Sequence, residues 1–301
     1  MPPHLCVYGH VALDYILSLD HFPPLNTSVD VLDKRRYYGG TAANLAVRAA
    51  ALGVPTALVS YVGEDFPRDY QEFLERHGVM LDDLVRVEGE ETPTVWVVSD
   101  SEENQVAYVY QGPMGHMGDY QVRDAMALAS EWVHVYTGRP DYYLRLMDRP
   151  LKRAALDPAQ EIHHVWTGEW FRRALPMADA FFANRGELET AMAYMGVQSA
   201  EGLLEYVELV LVTLGSQGSL LLDRQGQQEV PAIPPERVVD PTGAGDAFRA
   251  GFYAGDYHGY GLRDSAVIGG SSASFAIEAK GGLSQVPGWE EVLTRADPFL
   301  G

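Results

Sequence analysis

Lysine is nearly missing from this sequence: Lys34, Lys152 and Lys280 are the only three in 301 residues. Lysine and arginine together number 22 against 42 acidic residues, which leaves a formal net charge of −20. A surface this acidic repels nucleic-acid phosphates and anionic lipid heads. A phosphorylated ligand would have to be met locally, by magnesium or by backbone N–H groups. Cysteine is scarcer still. Cys6 stands alone, so no internal disulfide can form and an oxidising compartment is not required. It lies in the apolar run Leu5-Cys6-Val7-Tyr8 and reads as a small buried hydrophobe. No apolar run approaches the ~18–20 residues of a membrane helix. The opening Met1-Pro2-Pro3-His4 has neither a basic n-region nor an apolar h-region, which makes the cytoplasm the expected compartment. The histidines are scattered without His-Glu-x-x-His or comparable metal spacing, and the adjacent pair His163-His164 would point to opposite sides. Internal repeats, low-complexity tracts and long linkers are lacking too.

What is present is a hydrophobic share of 47%, ordinary for a globular chain, and enough length for one large domain over residues 1–301. Short apolar runs alternate with helical patterns. The runs Leu5–Tyr8, Ala57–Val62, Trp132–Tyr136, Arg153–Leu156, Ala180–Ala183 and Leu209–Thr213 read as strands. Several are apolar on both faces, as in a covered parallel sheet. Helices are predicted over Ala42–Leu52, Arg68–His77, Val122–Ala129 and Glu187–Met195. The alternation predicts a three-layer α/β sandwich around a mostly parallel sheet. Residues 14–38 and 92–111 break the pattern and read as extended strands, an antiparallel β-flap or lid, with a polar turn at Asp100–Asn104. Trp96, Tyr108 and Tyr110 of that flap suit stacking on a base or sugar, flap packing or a dimer interface equally well.

The strongest motif is Val239-Asp240-Pro241-Thr242-Gly243-Ala244-Gly245-Asp246-Ala247-Phe248, leading into Ala250-Gly251-Phe252. A glycine-rich turn opens an apolar helix. The N–H groups of a helix start lack intrahelical partners and carry partial positive charge, which suits a phosphate. Gly243 and Gly245 permit unusual φ and close approach of an anion. An acid at such a place repels phosphate unless it faces the acceptor hydroxyl and takes its proton. Asp246 is therefore the candidate base, with Gly243, Ala244 and Gly245 as the anion hole. Helix capping is the bland alternative. The motif is neither a Walker A loop nor a dinucleotide fingerprint.

Asp240–Phe252 resembles the C-terminal signature of the ribokinase-like, or PfkB, carbohydrate kinases. Gly39-Gly40-Thr41-Ala42-Ala43-Asn44-Leu45-Ala46, about two hundred residues earlier, resembles the N-terminal one. The resemblance extends over nearly the whole chain. It implies an ATP-dependent phosphotransferase acting on a hydroxyl, expected to be primary, of a sugar or nucleoside. It implies that Asp14 binds substrate hydroxyls, with Gly39, Gly40 and Asn44 as the second substrate segment. Asn184-Arg185-Gly186-Glu187 matches the Asn-x-x-Glu element that organises magnesium and phosphate, through water. Thr213, Gly215 and Gly218 match the segment that touches the nucleotide. Asp240 and Thr242 match a monovalent-cation site, so potassium activation is a further expectation.

Two features depart from the family pattern. Pro67-Arg68 replaces a glycine expected soon after Gly63-Glu64-Asp65-Phe66, and Ala279-Lys280-Gly281 puts a lysine where a small residue is usual. Neither removes a catalytic part. Among acceptors, the aromatic flap and Tyr110-Gln111-Gly112-Pro113-Met114 tilt the reading toward a nucleoside. The dearth of lysine argues against a phosphosugar, although Arg139 or Arg185 could clamp one. The competing class is a non-catalytic carbohydrate- or nucleotide-binding regulator on the same fold. Exposed flap edges further predict a homodimer joined flap to flap.

Overall fold

The structure is a computed structural model and describes residues 2–102 and 104–301. Its strands are β1 (Leu5–Tyr8), β2 (Ala12–Leu19), β3 (Val31–Gly39), β4 (Thr56–Gly63), β5 (Leu84–Val87), β6 (Thr94–Ser99), β7 (Gln105–Tyr110), β8 (Trp132–Val135), β9 (Ala154–Leu156), β10 (Ala180–Asn184), β11 (Leu209–Thr213), β12 (Ser219–Asp223) and β13 (Gly226–Val230). Its helices are α1 (Thr41–Ala51), α2 (Arg68–Arg76), α3 (Ala125–Ala129), α4 (Pro140–Met147), α5 (Gly168–Ala174), α6 (Arg185–Met195), α7 (Ala244–Tyr257), α8 (Leu262–Ala276) and α9 (Trp289–Ala296).

Nine strands form one sheet in the order β13-β12-β11-β10-β9-β8-β1-β4-β5. From β11 to β5 every neighbouring pair is parallel; β12 and β13 add an antiparallel edge. Successive residues of one strand feed opposite cores, because side chains alternate across a sheet. Leu5 and Val7 pack with Ala46 of α1, Phe252 of α7 and Val267 of α8. Cys6 and Tyr8 pack with Tyr142 of α4, Phe171 of α5 and Ala191 of α6. This is the predicted three-layer sandwich, and Cys6 is buried within it.

The remaining strands form a separate sheet in the order β3-β2-β6-β7. Its two hairpins are antiparallel, as read from sequence, but they meet through a parallel β2–β6 pair, which makes the sheet mixed. Parallel pairing follows from connectivity: β2 continues directly from β1, whereas β6 arrives after β4, α2 and β5. Asp65 fixes that arrival, since its Oδ1 accepts from both the N–H and the hydroxyl of Thr92, each at 2.7 Å. Pro67, the departure noted above, is simply the N-cap of α2. The predicted turn at 100–104 includes Glu103, outside the described residues; around it Asp100 Oδ1 accepts from the Glu102 and Asn104 N–H groups.

Candidate active site

Parallel strands deliver their carboxyl ends to one edge, and ligands of open α/β sheets bind there. Here that edge receives Tyr136 after β8, Asp157 after β9, Asn184 at the end of β10 and Thr213 at the end of β11. The start of α7 faces the same edge. Gly243 is its N-cap, with φ 78°, a conformation open mainly to glycine. Gly245 differs from expectation: it lies inside α7 with ordinary helical backbone, so no special φ requires it. The Ala244 N–H is also taken, by the Pro241 carbonyl at 3.2 Å. Among the described residues, the N–H groups of Gly245 and Asp246 have no backbone acceptor.

Asp246 is buried, 7% exposed. Its Oδ2 accepts from Asn44 Nδ2 at 2.8 Å, and its Oδ1 accepts from the Tyr136 hydroxyl. Burial pushes its carboxyl above the usual range, opposed by those two donors and by the Arg249 and Arg48 charges. The two hydrogen bonds fix the carboxylate plane. They explain how an acid persists at a helix start without serving as a cap, for no side-chain cap closes α7. Asn44 is oriented from α1, where it shares the buried face with Arg48. Arg48 donates twice to the Gly282 carbonyl, at 3.1 and 2.6 Å, and so draws the Gly281–Gly282 turn against the site.

Asp14 stands beside this carboxylate. A Cβ on Gly39 would lie 2.1 Å from Asp14 Oδ2, so any side chain at residue 39 would displace that carboxylate. Gly40, with φ 96°, starts α1, and a Cβ there would meet the His10 carbonyl at 2.4 Å. Burial first, and then the neighbouring Asp246 charge, push the Asp14 carboxyl up to about 7. The substrate segment predicted from sequence, Asp14, Gly39, Gly40 and Asn44, is thus brought together with Asp246.

Asn184 and Glu187 form a reciprocal capping box on α6. Asn184 Oδ1 accepts the Glu187 N–H at 3.0 Å, and Glu187 Oε2 accepts the Asn184 N–H at 2.7 Å. Burial and the Asp157 charge raise the Glu187 carboxyl. Among the described residues no three His, Cys, Asp or Glu side chains group to hold a metal. The pair fits a magnesium ion that arrives on nucleotide phosphates and keeps most of its water. Asn184 and Thr213 are direct partners in the β10–β11 register, and Gly215 (φ 60°) and Gly218 (φ 93°) turn the chain just beyond. Asp240 Oδ1 accepts from the Thr242 N–H and Oδ2 from the Gly281 N–H, both at 2.9 Å. Burial would raise this carboxyl, but bonds from Thr242 and Gly281 and the Lys280 charge hold it below the usual range.

Trp96 and Tyr108 are cross-strand partners, with Tyr15 beside Trp96, so all three share one face of the small sheet. Tyr110 has the same parity. Asp14, with its partners Tyr37 and Val95, is on the other face. The aromatic row therefore does not share a face with Asp14. The sequence also left Tyr136, Arg249, Asp157 and His10 unread. His10 lies 2.7 Å from the Thr137 hydroxyl and bonds Gln111, whose Nε2 donates to Glu161 at 3.3 Å. For His10, Tyr136 and Asp157 the available signal was position, just past the ends of β1, β8 and β9.

A carboxylate fixed at an open helix start, over the carboxyl edge of a parallel sheet and beside a small β-sheet, defines a phosphotransferase architecture. The profile of the pfkB family carbohydrate kinases matches residues 2–288, and the chain belongs to that family. A nucleoside kinase of Methanocaldococcus jannaschii is 35% identical over 295 residues, 97% of this chain and 96% of that one. A nucleoside kinase of Methanothermobacter thermautotrophicus is 36% identical over 97% of this chain and 94% of its own length. A crystal structure of Methanocaldococcus jannaschii nucleoside kinase superposes with a TM-score of 0.93 at 33% identity, covering 99% of this chain and 100% of that one. The chain is accordingly an ATP-dependent kinase of a carbohydrate or nucleoside. Among the described residues no helix is long and apolar enough to cross a membrane.

Proposed function

We propose that the protein is a nucleoside kinase, that residues 1–301 act as one kinase domain, and that the strands of 14–38 and 92–111 serve as its lid. The carrying observation is the carboxylate of Asp246, held by Asn44 and Tyr136 beside the free N–H groups of Gly245 and Asp246. Asp14 accepts hydrogen from acceptor hydroxyls, a task suited to a carboxylate, while Gly39 and Gly40 let the sugar reach the backbone. The acceptor oxygen then bonds to the γ-phosphorus and its proton passes to Asp246. The bond from that phosphorus to the β–γ bridging oxygen breaks, and ADP leaves. A raised carboxyl favours this, because a base works best when its pKa approaches the working pH. The developing phosphoryl charge meets the α7 start, where Gly243 sets the turn and Ala244 forms its first residue.

The nucleotide lies along Asn184, Glu187, Thr213, Gly215 and Gly218. Magnesium, when bound, neutralises phosphate charge there, with Glu187 and Asn184 reaching it through water. Asp240 and Thr242 form the monovalent-cation edge, already partly supplied by Lys280. The nucleoside preference draws on the similarity to two nucleoside kinases over nearly the full chain, not on the aromatic row. That row instead suits a homodimer joined through the small sheets. ATP consumption over a panel of nucleosides and sugars, including inosine, cytidine and ribose with magnesium and potassium, tests the reading. Turnover fastest with a nucleoside supports it; turnover confined to free sugars overturns the substrate, and ATP consumption with no acceptor at all overturns the enzyme.

A further inference from the structure

We infer that Arg249 is a catalytic residue of the transfer, a fixed guanidinium at the start of α7 that takes an oxygen of the moving phosphoryl group. The inference rests on the reading of Asp246 and the α7 start as the transfer site.

Arg249 follows Asp246 by three residues, so the two lie on one face of α7. Long side chains on a helix lean back toward its N-terminus. This one does so: a Cβ placed on Gly245 would lie 2.9 Å from Arg249 Nη1. The absence of a side chain at residue 245, which no backbone angle requires, thus keeps open the space between this guanidinium and the mouth of the site. The residue is 4% exposed, and its Cζ stands 5.3 Å from the ring centre of Tyr136, the residue that donates to Asp246.

Its hydrogen bonding is incomplete. Nε donates to Asp157, which is fully buried and also faces His134 Nε2 at 3.3 Å. Neither terminal nitrogen has a hydrogen-bond partner among the described residues. Neither is among the fully enclosed unpartnered atoms, so both stay open to a ligand instead of being spent on carbonyls, as buried donors ordinarily are. Arg48, the other buried arginine among the described residues, spends Nε and Nη2 on the Gly282 carbonyl and leaves only Nη1 without a partner. Lysine offers no substitute. Lys34 lies over Tyr15 on the small sheet, Lys152 pairs with Glu131, and the Lys280 charge acts on Asp240 at the rim. Asp157 and Tyr136 hold one end of the Arg249 side chain so that the other points its fork at an anion, the bidentate geometry arginine offers phosphate.

Arg249 makes no covalent bond in the step. While the acceptor oxygen–phosphorus bond forms and the bond to the bridging oxygen breaks, it donates to a non-bridging oxygen as charge shifts outward.

The test compares Arg249→Ala, Arg249→Lys and Asp246→Asn by single-turnover transfer from saturating ATP, with inosine or the fastest acceptor of the panel. ATP dissociation constants and melting temperatures are measured in parallel. An arginine serving phosphoryl transfer is worth about 10³–10⁵ where it acts alone. With the helix start sharing the charge here, Arg249→Ala should slow transfer about 10³-fold while ATP binds within about tenfold. Added guanidinium at millimolar concentration should restore at least about tenfold of the rate in Arg249→Ala and none in Asp246→Asn. Arg249→Lys keeps a cation beside Asp157 but lacks the fork, and should remain slow. If Arg249→Ala does not fold, the pair Arg249→Met with Asp157→Asn, which removes both charges of that ion pair together, carries the same comparison. A folded variant with unchanged transfer overturns the inference, as does a loss that guanidinium never restores and that Arg249→Lys fully repairs. If Asp246→Asn also transfers normally, the reading of the site itself has failed.

Discussion

β1 and β4 of the large sheet have no exposed residue, whereas β7 of the small sheet has no buried one. The large sheet is covered by helices on both faces and carries its own stability. The small sheet is not. Val31, Leu32, Trp96, Val106, Tyr108, Val109 and Tyr110 all lie on its strands, and they are most of the large hydrophobic side chains left exposed among the described residues. A four-stranded sheet with bare edges and bare aromatics is a surface that awaits something to cover it. The catalytic candidates divide along the same line. Asp246, Asn44, Tyr136 and Arg249 are set into the rigid body; Asp14 belongs to the small sheet, at the end of β2 nearest that body. Changes in the body should therefore act on chemistry, and changes in the small sheet on binding and assembly.

The largest effect expected from breaking this division is in the body. Asp246→Asn keeps both hydrogen-bond partners in reach but removes the base, and kcat should fall by about 10²–10⁴ with acceptor affinity nearly intact. Steady-state rates together with equilibrium binding check it; near-normal turnover would remove Asp246 from the mechanism. Gly245→Val comes next. Its Cβ would stand 2.9 Å from Arg249 Nη1, so the guanidinium would have to shift, and its branches would crowd the phosphate approach. The chemical step should fall by about 10² or more, the scale of one lost oxyanion donor, while ATP binding stays within about tenfold. Single-turnover kinetics at saturating ATP separate the two.

Asp14 sharpens the comparison, because its effect is on binding and depends on pH. With its carboxyl pushed up to about 7, only the ionised form accepts two hydroxyl hydrogens. Acceptor affinity should weaken about tenfold from pH 8 to pH 6, and ATP affinity should not follow. Calorimetric titration of each ligand measures this, and parallel slopes would transfer the titration to another group. The sign for stability is opposite. A folded-state pKa above the unfolded value contributes stability that is complete below about pH 4 and lost as pH rises through about 7. Asp14→Asn should therefore raise the melting temperature at pH 8 and leave it unchanged near pH 4.

The same division explains what the sequence made legible. The buried parallel strands announce themselves as apolar runs, and Leu209–Thr213 appears with the ends that were read. The glycine-rich start of α7 was visible because anion binding at a helix start is a local property of the chain. Tyr136 and Asp157 were not, since each matters only where β8 and β9 end beside α7, a relation between distant segments. Arg249 was the nearest miss: a lone cation in the apolar run Ala-Phe-Arg-Ala-Gly-Phe marks a buried charge, but its partner Asp157 lies 92 residues earlier. The nucleoside preference was read from Trp96, Tyr108 and Tyr110, which the register puts on the face opposite Asp14. Strand alternation shows which residues share a face, not which face meets the site. Gly245 was credited with backbone freedom that its helical conformation does not use.

A smaller effect is expected on the small sheet. Tyr108 is 58% exposed at the edge strand β7. If two copies meet there, Tyr108→Asp should move the protein from dimer to monomer in light scattering at micromolar concentration and leave the melting temperature within about 2 °C, as for a surface change. A wild-type monomer under those conditions would leave the sheet as a lid alone.

The smallest effect concerns potassium, and it returns to the body's exposed rim. Asp240 joins two turns by accepting N–H groups from Thr242 and Gly281. The Lys280 charge helps hold its carboxyl ionised, after those bonds have outweighed burial. A monovalent cation bound at Asp240 and Thr242 would thus meet a site whose charge is already partly balanced. A charge acting on a carboxylate at such an open rim is worth little and is screened by salt. Exchanging potassium for sodium should change wild-type kcat by no more than about fivefold, the ~1 kcal/mol upper end of what an exposed charge contributes. Lys280→Ala removes the competing charge while leaving the backbone bonds to Asp240 in place. That variant should be slower without potassium and should regain wild-type rate as potassium is added, so its dependence is steeper than the wild type's. Rates measured from zero to 100 mM of each ion at constant ionic strength, as this comparison requires, decide it. Tenfold activation of the wild type by potassium would show that the cation binds without regard to Lys280, and the rim would then belong to the catalytic machinery as fully as the buried carboxylate does.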